Sequence, residues 1–154
     1  EEALPDIKER LSALGVEFKK KGIFPLPRVC VGAPHCNLGI IDTAHLSSVI
    51  MDRFSHLEKV KGKVKISIAG CTIGCSGTKS TDIAIEATRN GFNMYTGGKD
   101  GIAPKPGRRI KKGIGEQEVL DTIEKLIDFH DQKTGKKQRM HKLLDDPDFP
   151  FPAV

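Results

Sequence analysis

The chain has 154 residues, 38% hydrophobic and 29% charged, and carries five more Lys and Arg than Asp and Glu. That length and balance suit a single globular unit with a real core, and no apolar run approaches the ~20 residues of a membrane-spanning helix. The acidic opening EEALPDIKER is not a secretory signal, and without an initiator Met the chain is expected to be processed or to be a piece of something longer.

LPDIKERLSALG reads as a first helix. Pro5 suits its first turn, Leu4, Ile7, Leu11 and Leu14 share a face, and Gly15 ends it. KKKGIFPLPR is a loop broken by Gly22, Pro25 and Pro27. VCVGAPHCNLG follows, with Gly and Pro between two cysteines. DTAHLSSVIMDRFSHLEK is a second helix, capped by Asp42 or Thr43, with Leu46, Val49, Ile50, Phe54 and Leu57 inward. KVKISIAG alternates Val64, Ile66 and Ile68 with polar residues, as a half-buried strand that leads into Cys71. DIAIEATR and FNMYTGG form a hairpin across Gly91, and GIAPKPGRR is a loop. GEQEVLDTIEKLIDFHDQ is the clearest helix, with Val119, Leu120, Ile123, Leu126 and Ile127 on one side. KKQRMHKLLDD is expected to form a short helix and PDFPFPAV an extended tail.

The basic excess is clustered at 19–21, 59–65, 105–112 and 133–139. Such runs are either solvated surface or a contact for an anionic partner. One Tyr and no Trp supply little for base stacking, so a nucleic-acid partner is not expected. His45, His56 and His130 are expected at the surface or its boundary, and His35 as a loop residue.

The four cysteines are Cys30 and Cys36, then Cys71 and Cys75 after 34 intervening residues. In a chain without an export signal, four thiols are more often metal ligands or reactive groups than disulfides. Zinc sites and redox dithiols favour two residues between paired cysteines, whereas here there are five and three. A phosphate loop requires Gly-Lys-Ser/Thr in succession, and Thr78 interrupts that order. An iron–sulfur cubane accepts looser spacings. Gly32, Gly70, Gly74 and Gly77 would bring backbone amides close to it, with Ile40, Ile41, Ile68 and Ile73 as apolar shielding. Spacing alone leaves zinc, a dithiol, a nucleotide loop and four unliganded buried thiols open beside the cubane.

The two cysteine pairs, together with CNLGIIDTAHLSSVI, KVKISIAGCTIGCSGTKSTDIAI, GFNMYTGGKDG and GIGEQEVLDTIEKLIDFH, resemble the nitrite and sulfite reductase family over residues 3–132. The resemblance implies a 4Fe-4S cluster held by Cys30, Cys36, Cys71 and Cys75. It also implies siroheme, with Cys75 bridging cluster and haem iron as the catalytic thiolate. Lys79, Arg108 and Arg109 would meet the carboxylates of siroheme. Thr72 and Ile73 stand where the family commonly has Pro and Asn, and Arg28 is the Arg nearest the first pair.

The expected fold is α/β in layers, a mixed sheet with flanking helices and the cysteine loops at strand ends. The resemblance divides the chain into the end of a ferredoxin-like half-domain with its linker (1–28), a cluster and siroheme domain (29–132) and a C-terminal tail (133–154). It implies a cytoplasmic oxidoreductase module for six-electron reduction of sulfite to sulfide, with nitrite to ammonia second. Partners would be the oxyanion, an electron-donor protein such as a ferredoxin, and the missing upstream part of the reductase or another subunit, with no membrane. The alternative is a non-catalytic 4Fe-4S electron-transfer or scaffold domain without siroheme.

Overall fold

The computed structural model describes residues 3–16, 18, 24–57, 60, 64–133 and 139–154. The lysine run 19–21 and most of the basic runs 59–65 and 133–139 lie outside them.

Five strands form one sheet in sequence order: β1 (Arg28–Val29), β2 (Ile66–Ala69), β3 (Ile83–Thr88), β4 (Gly91–Thr96) and β5 (Arg108–Ile114). β1, β2 and β3 run parallel, and β4 and β5 are antiparallel. The expected mixed α/β architecture is therefore present. β3 and β4 form the expected hairpin. β5 was expected only as the end of a loop. Its RRIKKGI sequence carries apolar residues only at Ile110 and Ile114, too sparse a pattern to distinguish from a basic loop.

One sheet face carries the core. Ile66, Ile68, Ile83, Ile85, Met94 and Ile110 are fully buried there. Against them pack α3 (Thr43–Phe54), through Leu46, Ile50 and Phe54, and α4 (Glu116–Lys133), through Val119, Ile123 and Leu126. Asp42 caps α3 as expected, accepting hydrogen bonds from the backbone N–H groups of Ala44 (2.9 Å) and His45 (3.0 Å). His130 departs from expectation: it is 1% exposed, because the inner stripe of α4 continues through Phe129 and His130 to its last turn.

Side chains alternate across a strand, so Ser67, Ala69, Ala84 and Glu86 belong to the opposite sheet face. They too are buried. The crossover from β2 to β3 folds back there, and its 3-10 turn (Thr78–Ser80) packs on β2, β3 and β4.

Residues 139–154 also join the core, through Met140, Leu143 and Phe151. The first three residues of KKQRMHKLLDD lie outside the described residues; the described ones, 139–146, make a 3-10 turn, Met140–Lys142, rather than an α-helix. The segment is tied down by Asp82, which is fully buried. Its Oδ1 accepts from Arg139 Nε (2.7 Å) and the Met140 N–H (3.1 Å), and its Oδ2 from the Lys65 N–H (3.2 Å). α1 (Leu4–Ala13) forms as expected, yet none of its residues is buried, and Leu4, Ile7, Leu11 and Leu14 are exposed. No helix among the described residues is long and apolar enough to cross a membrane.

Candidate metal centre

Two parallel neighbouring strands must end at the same edge of their sheet. Val29 of β1 stands beside Ile68 of β2, so Cys30 and Cys71, just past those ends, emerge side by side. This is how thiols 41 positions apart in the sequence come into one region. The Cys30 N–H donates to the Ile68 carbonyl (3.3 Å), and the Gly70 N–H donates to Cys30 Sγ (3.1 Å). An amide donated to a cysteine sulfur fixes the direction in which that sulfur points.

Cys36 returns to the same edge through a tight fold. Gly32–His35 is a helical turn (α2) broken at Ala33, whose ψ of 144° is extended. The chain then doubles back: the Gly39 N–H donates to the Cys36 carbonyl (2.9 Å), and the Ile40 N–H to the Gly70 carbonyl (2.7 Å). A Cβ on Gly39 would stand 2.5 Å from the Ala33 nitrogen, and one on Gly32 2.8 Å from the Ile41 oxygen. Only glycine lets these segments approach so closely. His35 is exposed at the end of α2.

The Cys71–Cys75 loop is held from beneath. Thr81 Oγ1 and Ser80 Oγ both donate to the Gly77 carbonyl (2.8 and 3.1 Å). Arg28 reaches across from β1, its Nη2 donating to Thr81 Oγ1 at 3.2 Å. Arg28 therefore braces the second cysteine loop from the strand that carries the first. Among the described residues, Ser67 Oγ, Ser76 Oγ and Glu86 Oε2 are buried without a hydrogen-bond partner.

All four cysteines are free thiols; Cys30, Cys36 and Cys71 are partly buried and Cys75 is exposed. Among the described residues, no three His, Cys, Asp or Glu side chains gather tightly enough to hold a single metal ion. The donor set is soft thiolate on glycine-rich loops, which suits an iron–sulfur cluster. The expected shielding is uneven: Ile68 is buried and Ile41 partly so, while Ile40 and Ile73 are exposed.

The three basic residues singled out from the sequence each have a partner within the chain. Lys79 lies on the 3-10 turn, its Nζ 6.0 Å from the centre of the Tyr95 ring. Arg108 turns to the C-terminal segment, donating from Nη2 to the Leu144 carbonyl (2.7 Å) and lying over Phe149. Arg109 Nε donates to the Val154 carbonyl (2.9 Å).

A cleft of about 310 Å³ opens beside the cysteine loop, lined by Thr72–Gly74, Gly77–Ser80, Glu86, Lys99, Asp100 and Pro104–Pro106. Sequence reasoning missed Glu86, Lys99 and Lys105. The repeated small and turn residues of GGKDGIAPKPG were the one signal that this stretch folds back on itself.

A family model described as the nitrite and sulphite reductase 4Fe-4S domain matches residues 27–149. The chain is 28% identical over 146 residues to an NAD(P)H nitrite reductase large subunit of Klebsiella oxytoca, covering 94% of this chain and 15% of that protein. It is 25% identical over 118 residues to an assimilatory-type sulfite reductase of Nitratidesulfovibrio vulgaris, covering 77% of this chain and 54% of that one. The structure of Mycobacterium tuberculosis NirA protein shares the fold, with a TM-score of 0.73 at 19% identity over 93% of this chain and 29% of that chain.

Proposed function

The chain belongs to the nitrite and sulphite reductase 4Fe-4S domain family, and from that premise we propose that it is the cluster and siroheme module of a sulfite reductase. Cys30, Cys36, Cys71 and Cys75 would hold the 4Fe-4S cluster. Cys75 would also bridge to the siroheme iron. When bound, the cofactors would supply one-electron transfer and an iron site for the oxyanion. The chain's own residues position them: the Gly70 amide orients Cys30, Arg28 fixes the loop carrying Cys71 and Cys75, and the β1 and β2 ends set the spacing between the pairs.

The observation that supports this reading is the difference in exposure among the four thiols. Three are partly covered and Cys75 is open, as a thiolate shared with a second cofactor has to be. Sulfite is the first reading, supported by the match to an assimilatory-type sulfite reductase over 77% of this chain. Nitrite stands second, supported by the 28% identity to the nitrite reductase large subunit.

The visible spectrum of anaerobically purified protein tests the reading. Siroheme bands beside broad iron–sulfur absorption are expected. Broad absorption alone would leave an electron-transfer domain and remove siroheme. Stoichiometric zinc with almost no iron or labile sulfide would overturn both. Cys75→Ser is expected to disturb cluster and haem signals together, and normal coupling in that variant would exclude the bridge.

A further inference from the structure

Arg28 ties the two cysteine pairs together and brings a charge to both. It stands on β1, two residues before Cys30, and its Nη2 donates to Thr81 Oγ1 at 3.2 Å, across 53 positions of sequence. On the way its guanidinium rests against Gly77, two residues after Cys75. A Cβ on Gly77 would meet Arg28 Nη2 at 2.5 Å, and the φ of 72° at that position also favours glycine. Two residues of chain span at most about 7 Å. The guanidinium therefore lies within roughly 11 Å of the Cys75 Cα, and the Arg28 backbone within about 7 Å of Cys30.

That charge has no counter-ion. Among the described residues no carboxylate pairs with Arg28, and its guanidinium donates only to a neutral hydroxyl. Thr81 Oγ1 in turn donates to the Gly77 carbonyl (2.8 Å), so the side chain is anchored to the loop itself rather than to an acid. A neutral donor would suffice to brace the loop. The positive charge is more than that task requires. Charge near an iron–sulfur cluster is one of the factors that set its reduction potential. Reduction adds one electron to a group already bound by anionic thiolates, and a nearby unpaired cation favours the more negative state.

We propose that Arg28 raises the reduction potential of the cluster held by Cys30, Cys36, Cys71 and Cys75, acting through space as an unpaired cation beside the second cysteine loop. The inference rests on the cluster reading proposed above and adds a residue that is not a ligand. Brace and charge have separate effects. The hydrogen bond to Thr81 governs how firmly the loop is held, and the charge governs how readily the cluster accepts an electron. A unit charge roughly 11 Å away at an effective dielectric of about 20 changes an equilibrium constant about ten-fold. Arg28 is exposed, so screening by water and salt reduces the expected effect to about five-fold. For a one-electron couple at 59 mV per decade, that is a shift of about 40 mV.

The test is spectroelectrochemistry of the full chain, purified anaerobically with its cluster in place, in which the iron–sulfur absorption is followed against applied potential. Arg28→Gln is expected to lower the equilibrium constant for reduction about five-fold. Arg28→Lys keeps the charge and should stay within about two-fold of the parent. Lys112→Gln removes the same charge from β5, at the opposite edge of the sheet and roughly 19 Å away across four strand spacings, and should also stay within about two-fold. Ser80→Asp keeps the test open where Arg28→Gln fails to retain the cluster. Ser80 Oγ and Arg28 Nη2 lie 3.2 and 2.5 Å from the same point beside Gly77, so a carboxylate there would neutralise the guanidinium and lower the potential in the same direction. An unchanged potential in either Arg28→Gln or Ser80→Asp would overturn the proposal. An equal fall in Arg28→Gln and Arg28→Lys would do so too, because only the brace would then matter. A parent chain without iron–sulfur absorption would instead overturn the cluster reading, and the inference with it, whereas a loaded parent whose potential ignores Arg28 defeats the inference alone.

Discussion

Asp82→Ala strikes the point where three parts of the chain meet. The carboxylate is fully buried and accepts hydrogen bonds from Arg139, from the backbone of Met140 and from the backbone of Lys65. Removing it leaves two backbone N–H groups and one guanidinium without their acceptor. Breaking a buried ion pair from one side costs about 3–5 kcal/mol. The Arg139 side chain keeps 22% of its surface in solvent, so water recovers part of its loss and the lower end, about 3 kcal/mol, is expected. With a urea m-value of about 2 kcal/mol/M, the unfolding midpoint should fall by about 1.5 M at unchanged slope. The assay is urea unfolding followed by far-UV circular dichroism, under anaerobic conditions and at matched iron content. Lys111→Ala provides the contrast: it breaks a partly exposed pair with Glu118 (2.6 Å) and should cost less than about 1 kcal/mol. A loss of less than about 1 kcal/mol for Asp82→Ala as well would refute the view that the C-terminal segment is anchored through this carboxylate.

Gly39→Ala forces a methyl group to within 2.5 Å of the Ala33 nitrogen and 2.7 Å of the Gly32 carbonyl carbon. The expected cost is about 1–3 kcal/mol, with iron and labile sulfide lowered relative to the parent; parental iron content and stability would show that the fold around Cys36 tolerates the methyl. Arg28→Ala is expected to free the Cys71–Cys75 loop, which Arg28 braces through Thr81, and to speed loss of cluster absorbance in air while leaving helix content unchanged. The Lys133 cluster with Asp146 and Asp148 should stabilise the C-terminal segment over a broad pH range. Asp146 is held below the ordinary carboxylate value, first by the Asp148 N–H and then by Lys133, so its contribution is present above that value and is lost as pH falls through the lowered one. Lys133 is raised above 10.5, first by its hydrogen bond to Asp148, so its contribution is present below 10.5 and is lost as pH rises through the raised value. Proteolysis of the C-terminal segment across a pH series checks both limits.

Local pattern was enough for much of this protein. The apolar period of α4, the Asp42 cap and the alternation in β2 each report on a few neighbouring residues, and propensity and burial act at that range. The four cysteines were legible as a set because their flanks carry a family's order and spacing. That Cys30 and Cys71 emerge at one edge was decided by the parallel pairing of Val29 with Ile68, a contact between residues far apart in sequence. The same is true of the cleft. Lys99 and Lys105 look like solvated loop lysines until an isolated backbone bridge sets them opposite each other, and Glu86 looks like a polar strand residue until the crossover covers it. Arg108 and Arg109 sit in a basic run suited to an anion, and the C-terminal segment engages both guanidinium groups through the Leu144 and Val154 carbonyls. Sequence determined which groups were available, because composition and spacing are carried by the chain itself. Tertiary structure decided which of them face one another, because that depends on strand register and on what each loop packs against.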